Sequence, residues 1–396
     1  MRRILTLAAW LIAGVLLVFT IRRWLFVLLA LLPDKTRPAH GDFAPPVLML
    51  IPLRNEAAAL PQLLVALADL AYPVDKLTVV LINDGSTDGS QEIIKDWIRG
   101  KENWHLLSLE QNAGKAQALN TALVAFPQGE IIAVYDADER PQPAALKTLT
   151  SPFADKKIGG VSGRRAVSNA SASPGASYTT FEGLVHQLVT MRAKNRLNLA
   201  PALLGANCAY RRAALTQVGN FKPGALLEDS DLTLKLARAG WDIAFEPQAV
   251  SYHSVPQTIG GYWRQHTRWA RGFNEVAKNQ ARSTLFDAQL PWPLRLELLM
   301  FALGYLDRLA LLAGAALAVL HRPSRSLLGR VLAASLLTPL LQIIAALALD
   351  RAPRVLWLQI VWLPFFFMLD MAMAAAGMWE TLKQSPQIWE ERAARK

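Results

Sequence analysis

The chain opens with a long apolar stretch. Residues 5–21 contain no charged residue, and after Arg22 and Arg23 the apolar pattern resumes and runs to Leu32. A helix that crosses a bilayer needs about 20 mostly apolar residues. No small-residue cleavage site is visible, and two arginines follow directly, which disfavours a cleaved signal peptide. The pattern predicts an uncleaved transmembrane helix over residues 1–34.

The C-terminal part of the chain is apolar as well. Residues 331–349 carry no charge, and residues 355–379 carry only Asp370. A third candidate span, 294–320, is weaker because it contains charged residues, among them Glu297, Asp307 and Arg308. We therefore expect two or three transmembrane helices within 294–382. The protein would then have three or four spans, and the side of its termini stays open.

Between these ends, short apolar runs alternate with amphipathic stretches. Four runs are typical of buried strands, at 47–52, 78–82, 105–109 and 130–135. Leucines recur at helical spacing between the first two runs, and this alternation is typical of a mostly parallel sheet with helices on both faces. The sequence thus predicts an α/β domain over 40–255, an amphipathic interfacial segment over 256–290 and a tail over 383–396. Ligands of such sheets bind beyond the carboxyl ends of the strands.

Composition narrows the class of protein. The chain has 396 residues, 52% of them hydrophobic and 18% charged, with a net charge of +11, which excludes a disordered chain. A single cysteine, Cys208, excludes a disulfide framework and a Cys-rich metal site and agrees with a reducing compartment. We expect a multi-pass protein of the inner (plasma) membrane with its α/β domain in the cytoplasm. No nucleic-acid-binding motif accompanies the positive charge, so nucleic acid is not an expected partner.

Acidic residues follow two of the predicted strands. Asp84 and Asp88 come after one strand, and Asp136, Asp138 and Glu139 come after another. For the first group, a turn with a helix N-cap is an equally simple interpretation. Three acids within four residues repel one another, which makes a purely structural role unattractive without a cation. Oxygen ligands of this kind suit Mg²⁺ or Mn²⁺ bridged to a diphosphate.

A further acidic group precedes a predicted amphipathic helix. Ser230 or Asp231 is a suitable N-cap, and this placement would leave Glu228 and Asp229 in the preceding loop. The alternative to a functional role is helix capping alone. A carboxylate in that loop can accept a proton from an attacking hydroxyl group, which is the role of a general base.

A basic and aromatic stretch lies just before the C-terminal apolar region. Arg264, Arg268 and Arg271 recur at i, i+4 and i+7, so they share one helical face. One interpretation is an interfacial helix whose arginines meet lipid headgroups. The other has Arg268 bind a diphosphate and Trp269 stack on a sugar. Both can hold for the same helix.

Seven motifs in order resemble the family 2 glycosyltransferases, specifically their membrane-embedded synthase branch. That branch includes cellulose, chitin, hyaluronan and poly-N-acetylglucosamine synthases. The motifs run over roughly 47–275 and are Ile51-Pro52…Asn55-Glu56, Asp84-Gly85-Ser86, Gly114-Lys115-Ala116, Asp136-x-Asp138, Gly205…Tyr210-Arg211, Glu228-Asp229 and Gln265-x-x-Arg268-Trp269. Each motif alone is weak, but their order between membrane segments is specific.

The resemblance implies a GT-A fold and inverting transfer from a UDP-sugar, either UDP-GlcNAc or UDP-glucose. It implies Asp229 as the catalytic base, Asp138 as the ligand of Mg²⁺ or Mn²⁺, and Glu228 with Trp269 at the acceptor. The donor would contact Pro52, Glu56, Asp84, Lys115, Asp136, Gln265, Arg268 and Trp269. A departure from the family pattern is the stretch His253–Thr258, which lacks the glutamate that many synthases carry before the PxT sequence.

Three functions follow as hypotheses. The leading one is a polymerising glycosyltransferase, and the alternative is transfer of a single sugar to a lipid acceptor. A non-catalytic subunit that binds nucleotide sugar is the third, and the presence of both Asp138 and Asp229 disfavours it. Expected partners are the UDP-sugar, a polysaccharide or lipid-linked acceptor, and membrane lipid. Three or four spans are few for a polymer channel, which a homo-oligomer or an export partner would complete.

Overall fold

A computed structural model describes residues 2–33 and 43–383, and the predicted tail beyond Lys383 lies outside these residues. Eight strands form one sheet: β1 (Val47–Leu53), β2 (Leu77–Asp84), β3 (Trp104–Leu109), β4 (Ile131–Val134), β5 (Arg140–Pro141), β6 (Ile158–Val167), β7 (Cys208–Arg211) and β8 (Asp242–His253). Their order across the sheet is β3-β2-β1-β4-β7-β6-β8-β5. The four strands predicted from the apolar runs are confirmed as β1 to β4.

The sheet is parallel on one side and mixed on the other. β1 to β4 pair in parallel, whereas β7 runs antiparallel to both β4 and β6, and β6 pairs in parallel with β8. The parallel half is the one expected from strand–helix alternation. The sequence did not indicate β7, because this strand follows a helical region and a loop without a regular alternating pattern.

The helices around the sheet are α2 (Leu60–Ala68), α3 (Ser90–Ile98), α4 (Lys115–Ala125), α5 (Ala145–Thr150), α6 (Pro174–Leu184), α7 (Arg192–Leu197), α8 (Arg212–Gln217), α9 (Glu228–Arg238) and α10 (Ile259–Leu285). A π-helical segment, Val185–Met191, joins α6 to α7. Alternate residues of β1 enter different cores: Leu48 and Leu50 pack with α4, and Met49 and Ile51 pack with α2. Successive side chains of a strand point to opposite faces, so helices cover both faces of the sheet, as predicted.

The remaining helices are α1 (Arg2–Leu31), α11 (Trp292–Ala302), α12 (Leu306–Leu320), α13 (Arg325–Asp350), α14 (Arg354–Leu358) and α15 (Leu363–Leu382). Among the described residues, three segments are long and apolar enough to cross a membrane: Arg2–Leu31, Arg322–Asp350 and Arg354–Leu382. The pair α11 and α12, which is bent by 70°, counts as a fourth if it is one broken span. This bend lies inside the candidate span that the sequence marked as weak.

The amphipathic helix α10 links the sheet domain to the apolar helices. Near its middle, Gly272 faces the loop before α9, and a Cβ atom at this position would lie 2.5 Å from Cγ of Leu227. Farther along α10, Gln280 Nε2 donates to Asp231 Oδ1 of α9 at 2.9 Å. The close approach at Gly272 therefore places α10 directly beside the first turn of α9.

Charged residues inside the apolar helices are paired with one another. Arg22 of α1 binds Glu297 of α11 through two hydrogen bonds of 2.7 and 2.6 Å, and Arg23 pairs with Asp307 of α12. The charges that interrupt the apolar runs are thus partners across helices. An ionised side chain in an apolar environment is costly unless it is paired, so these pairs join α1 to the bent helices.

Arg308 holds a second part of this network. Its guanidinium group lies 2.7 Å from Asp370 Oδ2 of α15 and 3.3 Å from Asp307 Oδ1. Arg308→Met leaves the buried Asp370 carboxylate without this cation, so we expect the free energy of unfolding to fall by roughly 3–5 kcal/mol. Thermal unfolding in detergent measures the loss.

The matched control is Arg99→Met, because Arg99 pairs with Asp96 at 2.9 Å and both side chains are more than 70% exposed. Exposed pairs contribute little, so this variant should unfold like the wild type. Adding Asp370→Asn to Arg308→Met should recover part of the loss. Equal unfolding temperatures for Arg308→Met and Arg99→Met would contradict the role of the network.

Candidate active site

The loops after β1 and β2 are tied together at the carboxyl edge of the sheet. Asn55 Oδ1 accepts a hydrogen bond from the Thr87 N–H at 2.8 Å, and the Glu56 N–H donates to Ser90 Oγ at 3.0 Å. Asp88 accepts from the Ser90 and Ala57 N–H groups, each at 3.0 Å. Asp88 therefore shapes the turn, as the structural interpretation proposed. Pro52, at the end of β1, is half-buried beside this junction.

Asp84 ends β2 and organises the start of α4. Its two carboxylate oxygens accept the N–H groups of Ala113 and Gly114 at 2.7 and 2.9 Å. These bonds fix the backbone that leads directly into Lys115, the first residue of α4. The Asp84 carboxylate is therefore connected to Lys115 through its two hydrogen bonds to backbone N–H groups. Both residues were predicted for the site from the sequence.

The Lys115 ammonium group contacts two carboxylates and one carbonyl oxygen of the site. Its Nζ lies 2.7 Å from Asp136 Oδ1, 2.8 Å from the Gly205 carbonyl oxygen and 3.4 Å from Glu228 Oε1. Burial alone would lower the pKa of Lys115, but the Asp136 and Glu228 carboxylates outweigh burial and hold this pKa above its usual value. Lys115 is therefore a permanent cation at the strand ends.

Arg165 of β6 supplies a second cation to the acidic turn after β4. Its Nε donates to Glu139 Oε1 at 2.6 Å, and its guanidinium group lies 3.7 Å from Asp136 Oδ2. The cation that the sequence argument asked for beside these acids is supplied in part by Lys115 and Arg165, so neutralisation alone does not require a metal ion. Burial raises the pKa of Glu139, and Arg165 opposes this rise only in part. Nothing in the motif pattern singled out Arg165.

A metal ion at this site would need ligands from outside the protein. Within residues 2–33 and 43–383, no group of three or more His, Cys, Asp or Glu side chains is arranged to hold one. Mg²⁺ and Mn²⁺ commonly bind through one or two carboxylates together with substrate phosphates and water. The half-buried carboxylates of Asp136 and Asp138, close to the Lys115 cluster, fit this mode and provide hard oxygen ligands.

The first turn of α9 carries Glu228 and Asp229. The predicted N-cap at Ser230 or Asp231 is wrong, because α9 begins at Glu228 and its N-cap position is Leu227. Acidic side chains are favourable in a first helical turn, where they meet the positive end of the helix dipole. Asp229 Oδ1 accepts a hydrogen bond from the backbone N–H of the next residue, Ser230, at 2.6 Å. Both acids are therefore held on a rigid element and not in a loop.

Asp229 has a strongly altered acidity. Burial raises its pKa to about 7, the adjacent Glu228 carboxylate adds to the rise, and Lys115 opposes it. Because this value lies above the usual one of 3.8, Asp229 lowers the free energy of unfolding as the pH rises from about 4 to 7. A carboxylate whose pKa lies near neutral pH has the acidity expected of a general base.

Gly205 is in contact with both halves of the site. Its carbonyl accepts from Lys115, and its φ of +71° is in the region that favours glycine. A Cβ atom at this position would lie 2.8 Å from Asp229 Oδ2. The resemblance included Gly205 without giving it a role, and only the three-dimensional contact reveals one.

The Gln265, Arg268 and Trp269 motif lies on α10. Gln265 and Trp269 are half-buried and Arg268 is exposed, and the Gln265 Oε1 atom is buried without a hydrogen-bond partner. Trp269 packs against the hydrophobic cluster that contains Leu227, the residue before α9. The structure thus joins Lys115, Asp136 and Glu228 through direct contacts, with Asp229 next to Glu228 on α9. It also brings the α10 motif to the same end of α9.

Comparison with known proteins agrees with this geometry. A family model described as "Glycosyltransferase like family 2" matches residues 45–272, which is more than half of the chain. The chain therefore belongs to the family 2 glycosyltransferases, and its sheet and helices form a fold of the GT-A type.

One relative of this chain is named only as a glycosyltransferase, and another is named by its product. The chain is 32% identical over 235 residues to the "Probable glycosyltransferase YdaM" of Bacillus subtilis, which is 58% of this chain and 55% of that protein. It is 28% identical over 291 residues to the poly-beta-1,6-N-acetyl-D-glucosamine synthase of Staphylococcus epidermidis, covering 73% of this chain and 67% of that one. The chain thus spans between half and two thirds of these relatives.

A solved structure has a similar fold over nearly the whole chain. It is the mannosyltransferase PcManGT from Pyrobaculum calidifontis in complex with GDP-Man and Mn²⁺, with a TM-score of 0.69 and 23% identity. The match covers 96% of this chain and 100% of that chain. At this level of identity the likeness concerns the fold alone.

The contact at Gly205 gives a prediction for activity. Gly205→Ala puts a methyl group against Asp229, so we expect glycosyl transfer to fall on the order of 100-fold, the size of effect seen when a reacting group moves by about 1 Å. The rate of nucleoside diphosphate release measures this loss.

The matched control is Gly219→Ala. Gly219 has a similar φ of +83°, but a Cβ atom there would meet nothing within 4 Å. Both variants carry the same backbone strain, so only displacement of Asp229 separates them. Equal activity in the two variants would show that the Gly205 contact does not position Asp229.

Proposed function

We propose that the protein is a membrane-bound inverting glycosyltransferase that extends a polysaccharide from a UDP-sugar, UDP-GlcNAc or UDP-glucose. The observation that carries the proposal is the half-buried Asp229 carboxylate, with its pKa near neutral, beside the cluster formed by Lys115, Asp136 and Glu228. A base and a cationic pocket at one edge of the sheet are the two parts that such a transfer needs.

In the proposed reaction, an acceptor hydroxyl group attacks the anomeric carbon of the donor sugar. Asp229 takes the hydroxyl proton, the new glycosidic bond forms, and the bond from the sugar to the diphosphate breaks on the opposite side. The diphosphate leaves as negative charge develops on it, and the cationic side chains Lys115 and Arg268 stabilise this charge. Inversion at the anomeric carbon follows from this single displacement.

Asp138, assisted by Asp136, would hold Mg²⁺ or Mn²⁺. When bound, the ion would supply Lewis-acid stabilisation of the leaving diphosphate. Asp84 would meet the nucleotide through the loop that it fixes, with Pro52 and Glu56 lining the neighbouring β1 loop. Gln265 and Trp269 would contact the donor from α10, and Trp269 with Glu228 would contact the acceptor.

The nature of the acceptor separates the proposal from its alternative. The poly-N-acetylglucosamine synthase of Staphylococcus epidermidis, the relative that matches over the larger share of this chain, supports a polysaccharide product with UDP-GlcNAc as the first donor to test. The alternative is transfer of one sugar to a lipid acceptor, and the small number of candidate spans favours it. A polymer channel formed by this chain would then require a second copy or an export partner.

Membrane placement is part of the proposal. Three or four candidate spans support a multi-pass protein of the inner (plasma) membrane. The sheet domain would lie in the cytoplasm, where nucleotide sugars are made and where the free thiol of Cys208 stays reduced.

The test is UDP release by the purified full-length protein with a panel of UDP-sugars and Mg²⁺ or Mn²⁺, with products sized by gel and mass spectrometry. One donor that yields a ladder of oligosaccharides supports polymerisation. A single glycolipid product contradicts it and supports the alternative. No release with any donor and acceptor would contradict the proposed transfer.

The acidity of Asp229 predicts a pH profile. A general base acts only when it is deprotonated, so kcat/KM should fall about tenfold per pH unit below pH 7 and level off above it. Glu228 raises the pKa of Asp229, so Glu228→Gln should move the midpoint to lower pH. A flat profile between pH 5.5 and 8.5, or an unmoved midpoint in Glu228→Gln, would contradict this assignment.

The role of Asp138 predicts altered metal dependence. Asp138→Asn should raise the Mn²⁺ concentration for half-maximal turnover about tenfold or more, because one charged ligand is lost. Calorimetry provides a second measurement: Mn²⁺ should strengthen UDP binding to the wild type and have little effect on the variant. The control is Asp96→Asn, an exposed aspartate far along α3. Unchanged metal dependence in Asp138→Asn would remove Asp138 from the ligand set.

A further inference from the structure

A buried histidine lies inside the α10 motif, and the resemblance assigns it no role. His266 is only 2% exposed, and both of its ring nitrogens face acceptor atoms. Nδ1 is 3.0 Å from the Tyr262 carbonyl oxygen, and Nε2 is 2.8 Å from Glu182 Oε2 of α6. A carbonyl and a carboxylate only accept hydrogen bonds, so both nitrogens must carry hydrogen and the ring is an imidazolium cation.

The surrounding charges agree with this protonation state. Burial would lower the pKa of His266, but the Glu182 carboxylate outweighs burial and raises it. The Tyr262 hydroxyl also contacts Glu182 Oε2, at 3.3 Å. The half-buried Glu182 and the buried His266 therefore form a charge-assisted pair between α6 and α10.

His266 also lies between two aromatic rings of the same helix face. Tyr262, His266 and Trp269 recur at i, i+4 and i+7, which places them in one row along α10. The Tyr262 and His266 rings are stacked with centroids 3.8 Å apart. The His266 and Trp269 rings meet edge to face at 4.8 Å with an interplanar angle of 63°. The orientation of His266 therefore limits the orientations that the Trp269 ring can adopt.

The far side of this row is packed as well. Tyr178 of α6 and Phe366 of α15 stack on each other at 4.9 Å, and both meet the Tyr262 ring edge to face. Glu182 and Tyr178 lie one helical turn apart on α6, so one helix supports the row at two points. Among the ring pairs of the described residues, the one that includes Trp269 is its pair with His266. His266 therefore links the Trp269 ring to the supported Tyr262 ring.

We propose that Glu182 and His266 are positioning residues that hold the Trp269 ring in the orientation in which an acceptor sugar stacks on it. This inference rests on the proposed function, in which Trp269 contacts the acceptor. A sugar ring stacks on one face of an indole, so the affinity for the acceptor depends on where that face points. UDP carries no sugar to stack on the indole, so its affinity should not depend on this orientation.

The test compares full-length wild type with His266→Gln, Glu182→Gln, Trp269→Ala and the double variant His266→Gln/Trp269→Ala. The donor is the UDP-sugar that the panel identifies, and the acceptor probe is a short oligosaccharide of the same sugar. We expect either positioning variant to raise the acceptor KM about tenfold, as for the loss of one aromatic contact, with UDP affinity within about twofold of the wild type. In the Trp269→Ala background, His266→Gln should add less than about twofold.

A measurement without turnover separates this inference from the proposed function. The protein is labelled with 5-fluorotryptophan, and the fluorine resonance of Trp269 is identified by its loss in Trp269→Phe. This resonance should shift or broaden in His266→Gln and in Glu182→Gln. It should stay in place in the control His105→Gln, which alters a histidine that packs on Phe126 at 5.2 Å on the outer strand β3.

The outcomes are distinct. An unchanged Trp269 resonance in both positioning variants overturns the inference, whatever the catalytic result. A full tenfold effect of His266→Gln in the Trp269→Ala background also overturns it, because the pair would then act elsewhere. A shifted resonance with no turnover by the wild type supports the positioning and contradicts the proposed function instead.

Discussion

The site depends on one half-buried ammonium group, that of Lys115. It is the common partner of a carboxylate after β4, a carbonyl in the loop before β7 and a carboxylate in the first turn of α9. These groups come from segments far apart in the sequence, and each would be costly to bury without a cation. Asp84 sets the position of Lys115 through the backbone before α4. The acidity of Asp229 then follows from burial beside this cluster.

Helix α10 connects this site to the apolar helices. It approaches α9 closely at Gly272, and Arg271 lies 3.8 Å from Glu380 of α15. Its aromatic row connects Trp269, the proposed acceptor contact, to α6. The ion pairs of Arg22 and Arg308 in turn hold α1 and α15 to the bent helices. Catalytic groups and apolar helices thus form one connected structure, which suits an enzyme whose acceptor arises at a membrane.

Sequence patterns predicted the parts of this protein that depend on local chemistry. Apolar runs gave β1 to β4, and the spacing of leucines gave α2, because burial of alternate or helical positions leaves a direct trace in the sequence. Arg165 left no such trace, because its function as a counter-ion depends on β6 reaching the acidic turn. The start of α9 was misplaced, because acidic residues suit both an N-cap and a first helical turn, and the helix begins at Glu228. Charged residues in the apolar runs look like interruptions of membrane spans in the sequence, because their partners lie on other helices.

The central claim is that Asp229 removes the acceptor proton. The most direct measurement compares wild type and Asp229→Asn, which keeps the size of the side chain, for both sugar transfer and UDP binding. We expect transfer to be abolished while UDP binds with nearly unchanged affinity, because the asparagine amide cannot accept the proton. Near-normal turnover by Asp229→Asn would contradict the account.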